Sequence, residues 1–584
     1  MYFNTVPFGN NAYGIKSASR IFFSTTPDSL RPEQAALLIG ILKAPSWFNP
    51  VKHPERAQAR RNVVLSQMKR YSFLSRQEYD SLSILPVKLV FRPEDHTAGL
   101  ATYFREHIRL ELDKWCSNHL KPDNKTPYNL YKDGLKIYTT IDTRMQRYAE
   151  QAVTRHMKDL QKEFFKHWKD AKNAPFDRNL TQQEINTILM QAVNRSERYA
   201  LLKEAGISRD SVLKIFNTPD TITIFTWEGE KDTFMSPMDS IRYYKHFLQA
   251  GFLSMDPHTG HIKAWVGGVN YKHFQYDHVK QGKRQVGSAF KPFVYTLAIQ
   301  EKWSPCEEVP NVPVIFIDEK GEKWSPKNSD DEFDGKMLAI EFALANSINT
   351  ITAYVISKFG PQAVIDLSRR MGITSHLDPY PALCLGVADI SVYEMTGAFS
   401  TYANKGIWTE PTYLLKIEDH HGNILEEFTP KTSEAMSEET AWVMLRMLKG
   451  VVDGVYSKSV NKRIGTGVRL RFKYDIRNPV AGKTGTTQNY SDGWFIGITP
   501  DLVSGVWVGC EDRSVHFRSM FWGQGATLAL PVWAYYMKSV YDDKTINISK
   551  EDFEPPSVPV TIDTDCWNYT KKDKVEDAGE SFDF

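Results

Sequence analysis

The sequence predicts a multidomain α/β protein of the α+β type, in which an antiparallel sheet is flanked by helices. Two pairs of apolar, strand-like stretches are each joined by a turn sequence, one pair near residue 255 and the other near residue 500. Segments with helical periodicity lie between the two pairs. Terminal strands that enclose helices favour one domain built on an antiparallel sheet. The mostly helical region that precedes them predicts further domains.

The two strand pairs are predicted hairpins. Residues 252–255 and 262–266 flank the turn sequence Asp256-Pro257-His258-Thr259-Gly260, and residues 494–498 and 503–508 flank Pro500-Asp501. Proline, aspartate and glycine in these loops are typical of tight turns between strands. We therefore assign residues 246–545 to a single sheet-containing domain.

The region before residue 246 is mostly helical in pattern. An apolar run at 34–42 follows Pro32 and stops before Pro45, and a second amphipathic segment begins near Pro54. Residues 135–140 alternate like a strand, and residues 141–245 are mostly charged amphipathic helix. We predict a first helical segment at 1–85 and a mostly helical linker or pedestal at 86–245.

Charge excludes one class of partner and singles out the end of the chain. The net charge of +2 gives no basic stripe of the kind that nucleic-acid binding requires. From Glu551 to Phe584 the chain carries ten acidic and three basic residues, together with three prolines. We expect residues 546–584 to form an acidic, disordered tail.

Cysteine and histidine patterns predict neither a disulfide framework nor a metal site. The five cysteines are scattered, without a Cys-x-x-Cys pair or metal-ligand spacing. The 15 histidines show no His-Glu-x-x-His or comparable cluster. We expect no metal and no cofactor. The sequence also has no apolar run of the length that a bilayer-crossing helix needs.

One Ser-x-x-Lys sequence has the context of a catalytic nucleophile. On a helix this spacing puts the two side chains on one face, so that the lysine can take the proton of the serine. Ser288 and Lys291 are preceded by Gly287, which permits a tight entry turn, and followed by Pro292, which fits the first turn of a helix. Three other pairs have the same spacing and are expected to be solvated surface: Ser66/Lys69, Ser211/Lys214 and Ser459/Lys462.

The Ser288 helix is predicted to be buried. Phe290, Val294 and Leu297 form an apolar stripe along it. Burial disfavours the charged form of Lys291, and a base must be uncharged to accept a proton. A helix N-terminus also lends partial positive charge to a developing oxyanion.

Two further elements complete a candidate site. Ser347-Ile348-Asn349 is a Ser-x-Asn sequence that follows Ser288 by 59 residues, although Ser459-Val460-Asn461 matches the pattern too. Lys483-Thr484-Gly485 is the only Lys-Thr-Gly in the chain. In an extended strand its lysine and glycine point to the same face, and the missing side chain of the glycine lets a substrate backbone approach.

In this order the three elements resemble the motif set of the penicillin-binding proteins and serine β-lactamases. The phrases at 284–293, 385–391 and 492–497 are similar to class A (bifunctional) penicillin-binding proteins. Ile348 stands where many β-lactamases have aspartate, which favours a transpeptidase. The resemblance covers residues 1–545 and implies a β-lactamase/transpeptidase-like sheet for residues 246–545.

The resemblance implies a D,D-transpeptidase that works through a serine acyl-enzyme. Ser288 would attack the penultimate D-Ala carbonyl of a peptidoglycan stem peptide, and Lys291 would accept the hydroxyl proton. Ser347 would relay a proton to the leaving amine. Asn349 would steady Lys291 and the donor strand. Penicillin and other β-lactams would acylate the same serine.

The resemblance assigns substrate contacts to the third motif. Lys483, Thr484 and Thr486 would engage the substrate carboxylate, and Gly485 belongs to the same substrate-binding strand. The backbone amides of Ser288 and Thr486 would form the oxyanion hole, which in other acyl-transfer enzymes is worth about 3–4 kcal/mol per donor.

The opening residues resemble the end of the family 51 peptidoglycan glycosyltransferase domain, which has an all-α, lysozyme-like fold. The matching phrases are Tyr2-Phe3-Asn4, Ala44-Pro45, Asn49-Pro50 and residues 60–65. The catalytic glutamates and membrane anchor of that family lie upstream of these phrases. We therefore expect the chain as written to be a truncated form that lacks glycosyltransferase activity, and a longer parent protein to be bifunctional.

Location and partners follow from the same resemblance. The catalytic domains would lie on the periplasmic, extracytoplasmic face of the inner (cytoplasmic) membrane, held there by an upstream anchor. Stem peptides, glycan strands and β-lactams are the implied ligands, and the sequence does not identify protein partners.

Two kinds of alternative remain open at the level of sequence. A D,D-carboxypeptidase or a β-lactamase-like hydrolase would use the same acylation machinery with water as the acceptor, although no convincing deacylating glutamate can be placed. A non-catalytic module that only binds cell-wall partners is the alternative of another class. The intact three-motif set argues against it, because a decayed site would be expected to lose Ser288 or Lys483.

Overall fold

The computed structural model describes residues 2–10, 12–91, 99–122, 125–317 and 320–569. These residues form two units. One unit comprises Met1–Thr102 and Ile108–Gly134, and the other comprises Tyr103–His107 and Leu135–Phe584. Within the described ranges no helix has both the length and the hydropathy required to cross a bilayer.

The N-terminal unit is built from helices around a small apolar core. Phe8, Phe22, Leu38 and Ile41 are almost completely buried in it. The run predicted at 34–42 is helical, as is the segment predicted to begin at Pro54. The helices are Tyr2–Thr5, Gly14–Phe23, Pro32–Ile41, Pro54–Arg70 and Arg76–Ser83, with a 3-10 turn at Pro27–Ser29, and Thr102–Asn118 is shared between the two units.

The second unit contains the sheet and most of the helices. Its helices are Thr143–Trp168, Gln182–Arg195, Glu197–Glu204, Arg209–Phe216, Pro237–Lys245, Lys291–Gln300, Ile340–Ala345, Asn349–Arg370, Val392–Ala403, Glu438–Asp453, Arg469–Phe472, Met520–Gly523, Gly525–Leu528 and Leu530–Asp542, with 3-10 turns at Gly287–Phe290 and Pro381–Leu385. The helix Asn349–Arg370 is broken at Gly360, which has a φ of 76°.

Short sheets of two or three strands accompany a central sheet in this unit. The peripheral strands are Lys136–Thr139, Asp220–Thr226, Gly229–Met235, Lys283–Gln285, Glu308–Pro310, Phe316–Ile317, Lys323–Trp324, Met337–Ala339, Asp389–Ser391, Ile407–Thr409, Leu414–Glu418, Ile424–Glu427, Thr432–Glu434, Val455–Ser457 and Lys462–Ile464. The strand predicted at 135–140 is therefore present.

The central sheet has five antiparallel strands. They are β1 (Leu248–Met255), β2 (Ile262–Val266), β3 (Ala481–Thr486), β4 (Asp492–Ile498) and β5 (Val503–Cys510), in the spatial order β3-β4-β5-β1-β2. Both predicted hairpins are confirmed, since β1 pairs with β2 and β4 pairs with β5. β3, which carries the Lys-Thr-Gly motif, lies at an edge of the sheet.

One face of the sheet is covered by a helix that the sequence analysis placed in the linker. The helix α1 (Thr143–Trp168) buries an apolar stripe that includes Met157 and Phe164 against the sheet. The amide of Gln146 donates to the Trp265 carbonyl oxygen at 2.8 Å and accepts from the Trp265 N–H at 2.7 Å. The charged residues of α1 lie on its outer face, so its polar composition concealed a core element.

The opposite face carries the helices that position the candidate site. The helix α2 (Val392–Ala403) packs on β5, where a Cβ on Gly505 would lie 2.1 Å from the Thr396 hydroxyl oxygen. The helix that follows Ser288 packs in turn against Asn349–Arg370 and Glu438–Asp453. Glycine in the sheet therefore allows a close helix approach, and the Ser288 helix is buried as predicted.

The expectation of a disordered tail is wrong for residues 546–569, and residues 570–584 lie outside the described part of the chain. Cys566 forms a disulfide with Cys306, which the sequence analysis did not predict. Phe553 and Ile562 are buried, and the Ser304 hydroxyl donates to the Asp563 carbonyl oxygen at 2.6 Å. The prediction of disorder rested on acidic composition, which gives no information about a disulfide or about a few buried apolar side chains.

Candidate active site

Ser288 lies on a tight turn that packs against the end of β3. It belongs to the 3-10 turn Gly287–Phe290, directly before the helix that begins at Lys291, and it is half-buried. Gly287 has a φ of 54°, and a Cβ there would lie 2.5 Å from the Thr486 carbonyl oxygen. Only glycine combines that backbone conformation with so close an approach. The turn thus brings Ser288 beside the third motif.

A second glycine holds the same turn from the other side. Gly386 has a φ of 71°, and a Cβ there would lie 2.0 Å from the Gly287 carbonyl oxygen. The Gly287 N–H donates to the Gly386 carbonyl oxygen at 2.9 Å. The phrase at 385–391, singled out in the sequence, therefore supports the Ser288 turn through its backbone.

Lys291 is fully buried and held by two acceptors. Its Nζ donates to the Ser347 carbonyl oxygen at 2.5 Å and to Asn349 Oδ1 at 2.6 Å. Burial lowers the pKa of Lys291 to about 7, because desolvation disfavours the ammonium form. A neutral amine has two N–H groups and one lone pair. Since the two acceptors take both N–H groups, the lone pair of the neutral amine stays available to accept a proton.

Burial separates this pair from the other Ser-x-x-Lys sequences. Lys291 has no exposed surface, whereas Lys69 is half-buried and Lys214 and Lys462 are exposed. Burial of this kind disfavours the charged form of a lysine. The structure thus distinguishes the one pair that the sequence analysis selected.

The second motif connects the first and the third. Ser347 adopts a left-handed conformation with a φ of 61°, which is uncommon for a non-glycine residue. Its carbonyl oxygen faces Lys291, while its hydroxyl oxygen accepts from Lys483 Nζ at 3.1 Å. Asn349 is fixed by its side-chain amide, which donates to the Lys327 carbonyl oxygen at 2.7 Å. Strained residues of this kind are frequent at functional sites.

Lys483 is also buried, and it completes a chain of contacts across the three motifs. Its Nζ donates to the Ser347 hydroxyl oxygen and to the Thr484 carbonyl oxygen at 3.0 Å. Burial, with a smaller contribution from the positive charge of Lys291, holds the pKa of Lys483 well below its usual value. The site therefore contains two desolvated amines that both contact Ser347, one at its carbonyl oxygen and the other at its hydroxyl oxygen.

Gly485 has a different role from the one expected. A Cβ at this position would lie 2.6 Å from the Val286 carbonyl oxygen and 3.0 Å from the Ala289 Cβ. The missing side chain thus makes room for the Ser288 turn, whereas the sequence analysis expected that space to admit a substrate backbone. Lys483 and Gly485 do face the same side of β3, toward this turn and Ser347.

Sequence reasoning missed two contacts of the threonines in β3. The Thr484 hydroxyl donates to the Thr466 hydroxyl at 2.7 Å, and the Thr486 hydroxyl accepts from the Gly525 N–H at 3.0 Å. Neither Thr466 nor Gly525 belongs to a recognisable motif. These contacts fix the rotamers of two side chains that the sequence analysis assigned to substrate binding.

A buried ion pair, which the sequence analysis also missed, supports the strand that leads into the Ser288 turn. Arg284 Nε lies 2.6 Å from Asp492 Oδ1, and the Asp492 side chain has no exposed surface. Asp492 also accepts from the Ser491 hydroxyl at 2.5 Å and from Trp507 Nε1 at 3.0 Å. Both charged residues lie in phrases that the sequence analysis quoted, yet their pairing across the fold carried no sequence signal.

We expect Asp492→Ala to lower the free energy of unfolding by about 3–5 kcal/mol, because Arg284 would keep a buried charge without its partner. Urea unfolding of both proteins measures the difference. Asp220→Ala is the matched control, since Asp220 pairs with Arg198 at 3.9 Å on the surface and such a pair contributes less than about 1 kcal/mol. Equal losses in the two variants would contradict the role of the buried pair.

Family models match three stretches of the chain. The transglycosylase model matches residues 1–69, the penicillin-binding protein middle domain matches residues 171–248, and the penicillin binding protein transpeptidase domain matches residues 250–509. The last match spans all three motifs. Among the described residues no group of three or more His, Cys, Asp or Glu side chains is arranged to hold a metal ion. The fold and the site thus define a penicillin-binding transpeptidase domain.

Curated relatives agree with these matches along nearly the whole chain. Penicillin-binding protein 1A of Aquifex aeolicus is 30% identical over 98% of this chain and 74% of its own length. Penicillin-binding protein 2D of Bacillus subtilis is 27% identical (95% and 65%), and penicillin-binding protein 1A of Pseudomonas aeruginosa is 26% identical (96% and 73%). The chain belongs to the class A penicillin-binding proteins and is a serine-type D,D-transpeptidase.

Solved structures share the fold. Penicillin-binding protein 1A from Haemophilus influenzae has a TM-score of 0.67 at 22% identity, over 95% of this chain and 86% of that chain. PonA1 from Mycobacterium tuberculosis has a TM-score of 0.51 at 20% identity, over 82% of this chain and 99% of that chain. The expected transpeptidase-like sheet and glycosyltransferase-type helices are thus present as a fold.

Proposed function

We propose that Ser288 is the nucleophile with which this transpeptidase cross-links peptidoglycan stem peptides. One observation carries the proposal: Lys291, Ser347 and Lys483, from three distant motifs, share one set of hydrogen bonds beside the Ser288 turn. The i,i+3 spacing of Ser288 and Lys291 places both side chains on one side of the helix start.

In the acylation step Lys291 takes the Ser288 proton while the serine oxygen bonds to the carbonyl carbon of the penultimate D-Ala. The backbone amides of Ser288 and Thr486 stabilise the resulting oxyanion. The carbon–nitrogen bond to the terminal D-Ala then breaks, and Ser347 passes a proton to the departing amine. Lys483, Thr484 and Thr486 hold the carboxylate of the donor peptide. The free edge of β3 allows that peptide to add as a further strand.

In the second step the amine of a neighbouring stem peptide attacks the acyl-enzyme. The new amide closes the cross-link, and the serine oxygen recovers a proton from the attacking amine. Water in place of that amine would give carboxypeptidase activity at the same site. A β-lactam acylates Ser288 by ring opening, so no leaving group departs and the ester persists.

We infer that the catalytic unit works on the extracytoplasmic side of the membrane. Membership of class A supports this location, and so does the Cys306–Cys566 disulfide, since such bonds form and persist in oxidising compartments. We also propose that residues 1–85 belong to a glycan-polymerising glycosyltransferase domain, which the transglycosylase match at 1–69 supports.

Intact-mass analysis after exposure to benzylpenicillin tests the proposed site. We expect one stable adduct, which peptide mapping places on the peptide that contains Ser288. An adduct on another residue would contradict the assignment of the nucleophile. Rapid loss of the adduct with release of hydrolysed penicillin would instead indicate a β-lactamase-like hydrolase.

A further inference from the structure

A basic groove lies in the same unit of the fold as the candidate active site. It encloses about 840 Å³ and is lined by Arg178, Arg513, Arg518, Asp177, His516 and Tyr490, among others. We call it the arginine groove. Part of its wall comes from the loop at 173–181, which lies within the middle domain and has no part in the acylation chemistry described above.

The loop is fixed to the transpeptidase part by specific contacts. The Asp177 N–H donates to the Ser514 carbonyl oxygen at 2.8 Å, and Asp177 Oδ2 lies 3.3 Å from His516 Nε2. Phe176 is fully buried. These contacts hold Phe176 and Asp177, and they therefore fix the backbone position of Arg178, which follows directly. Arg178 lies in the groove wall, and its side chain is exposed.

Among the described residues, part of the positive charge of the groove has no carboxylate partner. Its lining has three arginines and one carboxylate, Asp177. Arg513 pairs with Asp389 at 2.6 Å, whereas Arg518 donates to the neutral acceptors His167 Nε2 and His167 O. Among the described residues, none forms an ion pair or hydrogen bond with the Arg178 side chain. Even with Arg513 counted as neutralised, two arginines face one carboxylate.

Chain connectivity ties the groove to the reacting groups on two sides. Tyr490 follows Thr486 by four residues on the loop after β3. On the other side Asp389, the partner of Arg513, lies opposite Gln285, three residues before Ser288. Three to four extended residues span about 10–14 Å. Thr486, whose backbone amide is assigned to the oxyanion hole, therefore lies within about 14 Å of Tyr490 on the groove wall, a distance that a short peptide spans.

We propose that the arginine groove binds a carboxylate of the acceptor stem peptide and so orients its amine toward the acyl-enzyme. The proposal rests on the transpeptidase function proposed above and names the chemistry of its second substrate. Peptide carboxylates suit this groove because guanidinium groups bind them with paired, charge-assisted hydrogen bonds. The donor carboxylate does not compete for it, since Lys483 and the threonines of β3 are assigned to that group.

The test compares two acceptor peptides that differ only in charge. One is a stem tetrapeptide with a free side-chain amine and free carboxylates, and the other is the same peptide with its carboxylates amidated. We expect the wild-type protein to use the carboxylate form about fivefold better, as for an exposed ion pair worth up to about 1 kcal/mol. Arg178→Glu should abolish or reverse that preference, and added salt should shrink it in the wild type.

Arg195→Glu is the matched control, because Arg195 is exposed in the same region but does not line the groove. It makes the same charge change and should keep the wild-type preference. Equal use of the two peptides by the wild type, or an unchanged preference in Arg178→Glu, would refute the proposal that the groove binds the acceptor carboxylate.

Two measurements separate this proposal from the proposed function. Acylation of the wild-type protein by penicillin tests the nucleophile alone, so its failure would refute the function and not the groove. Binding of the two peptides to the Ser288→Ala protein, measured by calorimetry, compares them without turnover. Binding that is equally strong or equally absent for both peptides would refute the groove whatever the activity of the wild type.

Discussion

Ser288→Ala is expected to abolish both acylation by penicillin and cross-linking. Removal of the hydroxyl leaves no atom to form the ester, and loss of the nucleophile in other serine acyl enzymes lowers the rate by about 10⁶-fold. Fluorescent penicillin, followed by denaturing electrophoresis, measures the label directly. We expect no labelled band from this variant at concentrations that saturate the wild type.

The same variant should fold normally. Ser288 is only half-buried, and alanine fits its turn, so the change in the free energy of unfolding should stay within about 0.5 kcal/mol. Ser66→Ala is the matched control, because Ser66 belongs to another Ser-x-x-Lys sequence, and it should label like the wild type. Residual labelling of Ser288→Ala, or lost labelling of Ser66→Ala, would show that another residue is acylated.

Lys291→Met is expected to slow acylation by about 10²–10⁴-fold, the usual contribution of a positioned general base. Methionine keeps most of the volume of the buried side chain and removes the amine that receives the serine proton. Stopped-flow measurement of acylation by a chromogenic β-lactam gives the rate constant. Lys69→Met serves as the control, since Lys69 lies in a Ser-x-x-Lys sequence outside the site. A rate in Lys291→Met within a few fold of the wild type would exclude Lys291 as the base.

The pH dependence of acylation provides a second test of Lys291. Burial lowers its pKa to about 7, and only the uncharged amine accepts a proton. The wild-type rate should therefore rise about tenfold per pH unit below pH 7 and level off above it. Lys291→Met should lose this rise. A wild-type rate that is flat between about pH 5.5 and 8 would contradict the assignment.

The local shapes of the three motifs could be predicted from sequence, whereas their convergence was expected only from the resemblance to the penicillin-binding protein motif set. Glycine before Ser288 and proline after Lys291 predict a turn that enters a helix, and the lone Lys-Thr-Gly predicts a strand. The alternating stretches around 255 and 500 predict the sheet that carries this strand. These local predictions hold because tertiary packing keeps the turn, the helix and the strand in the conformations that their own residues favour.

Contacts between residues that are far apart in sequence could not be anticipated. Arg284 and Asp492 are separated by 208 residues, and nothing in either segment indicates the partner. Five cysteines likewise leave the pairing undetermined. The amphipathic helix at 143–168 is assigned to a linker in the sequence analysis, and only the packing reveals that its apolar stripe covers the central sheet. The packing requirement for glycine at 485 could not be predicted either, because the turn that occupies the space of a Cβ there lies about 200 residues earlier in the sequence.

The Cys306–Cys566 bond turns 260 residues of sequence separation into a covalent ring. Ser347 and Lys483 lie inside this ring, and Ser288 lies outside it. A single peptide-bond cut by a protease anywhere between the two cysteines would therefore release no fragment. The nicked chain would migrate as one piece in a non-reducing gel and separate into two pieces only after a thiol reductant is added.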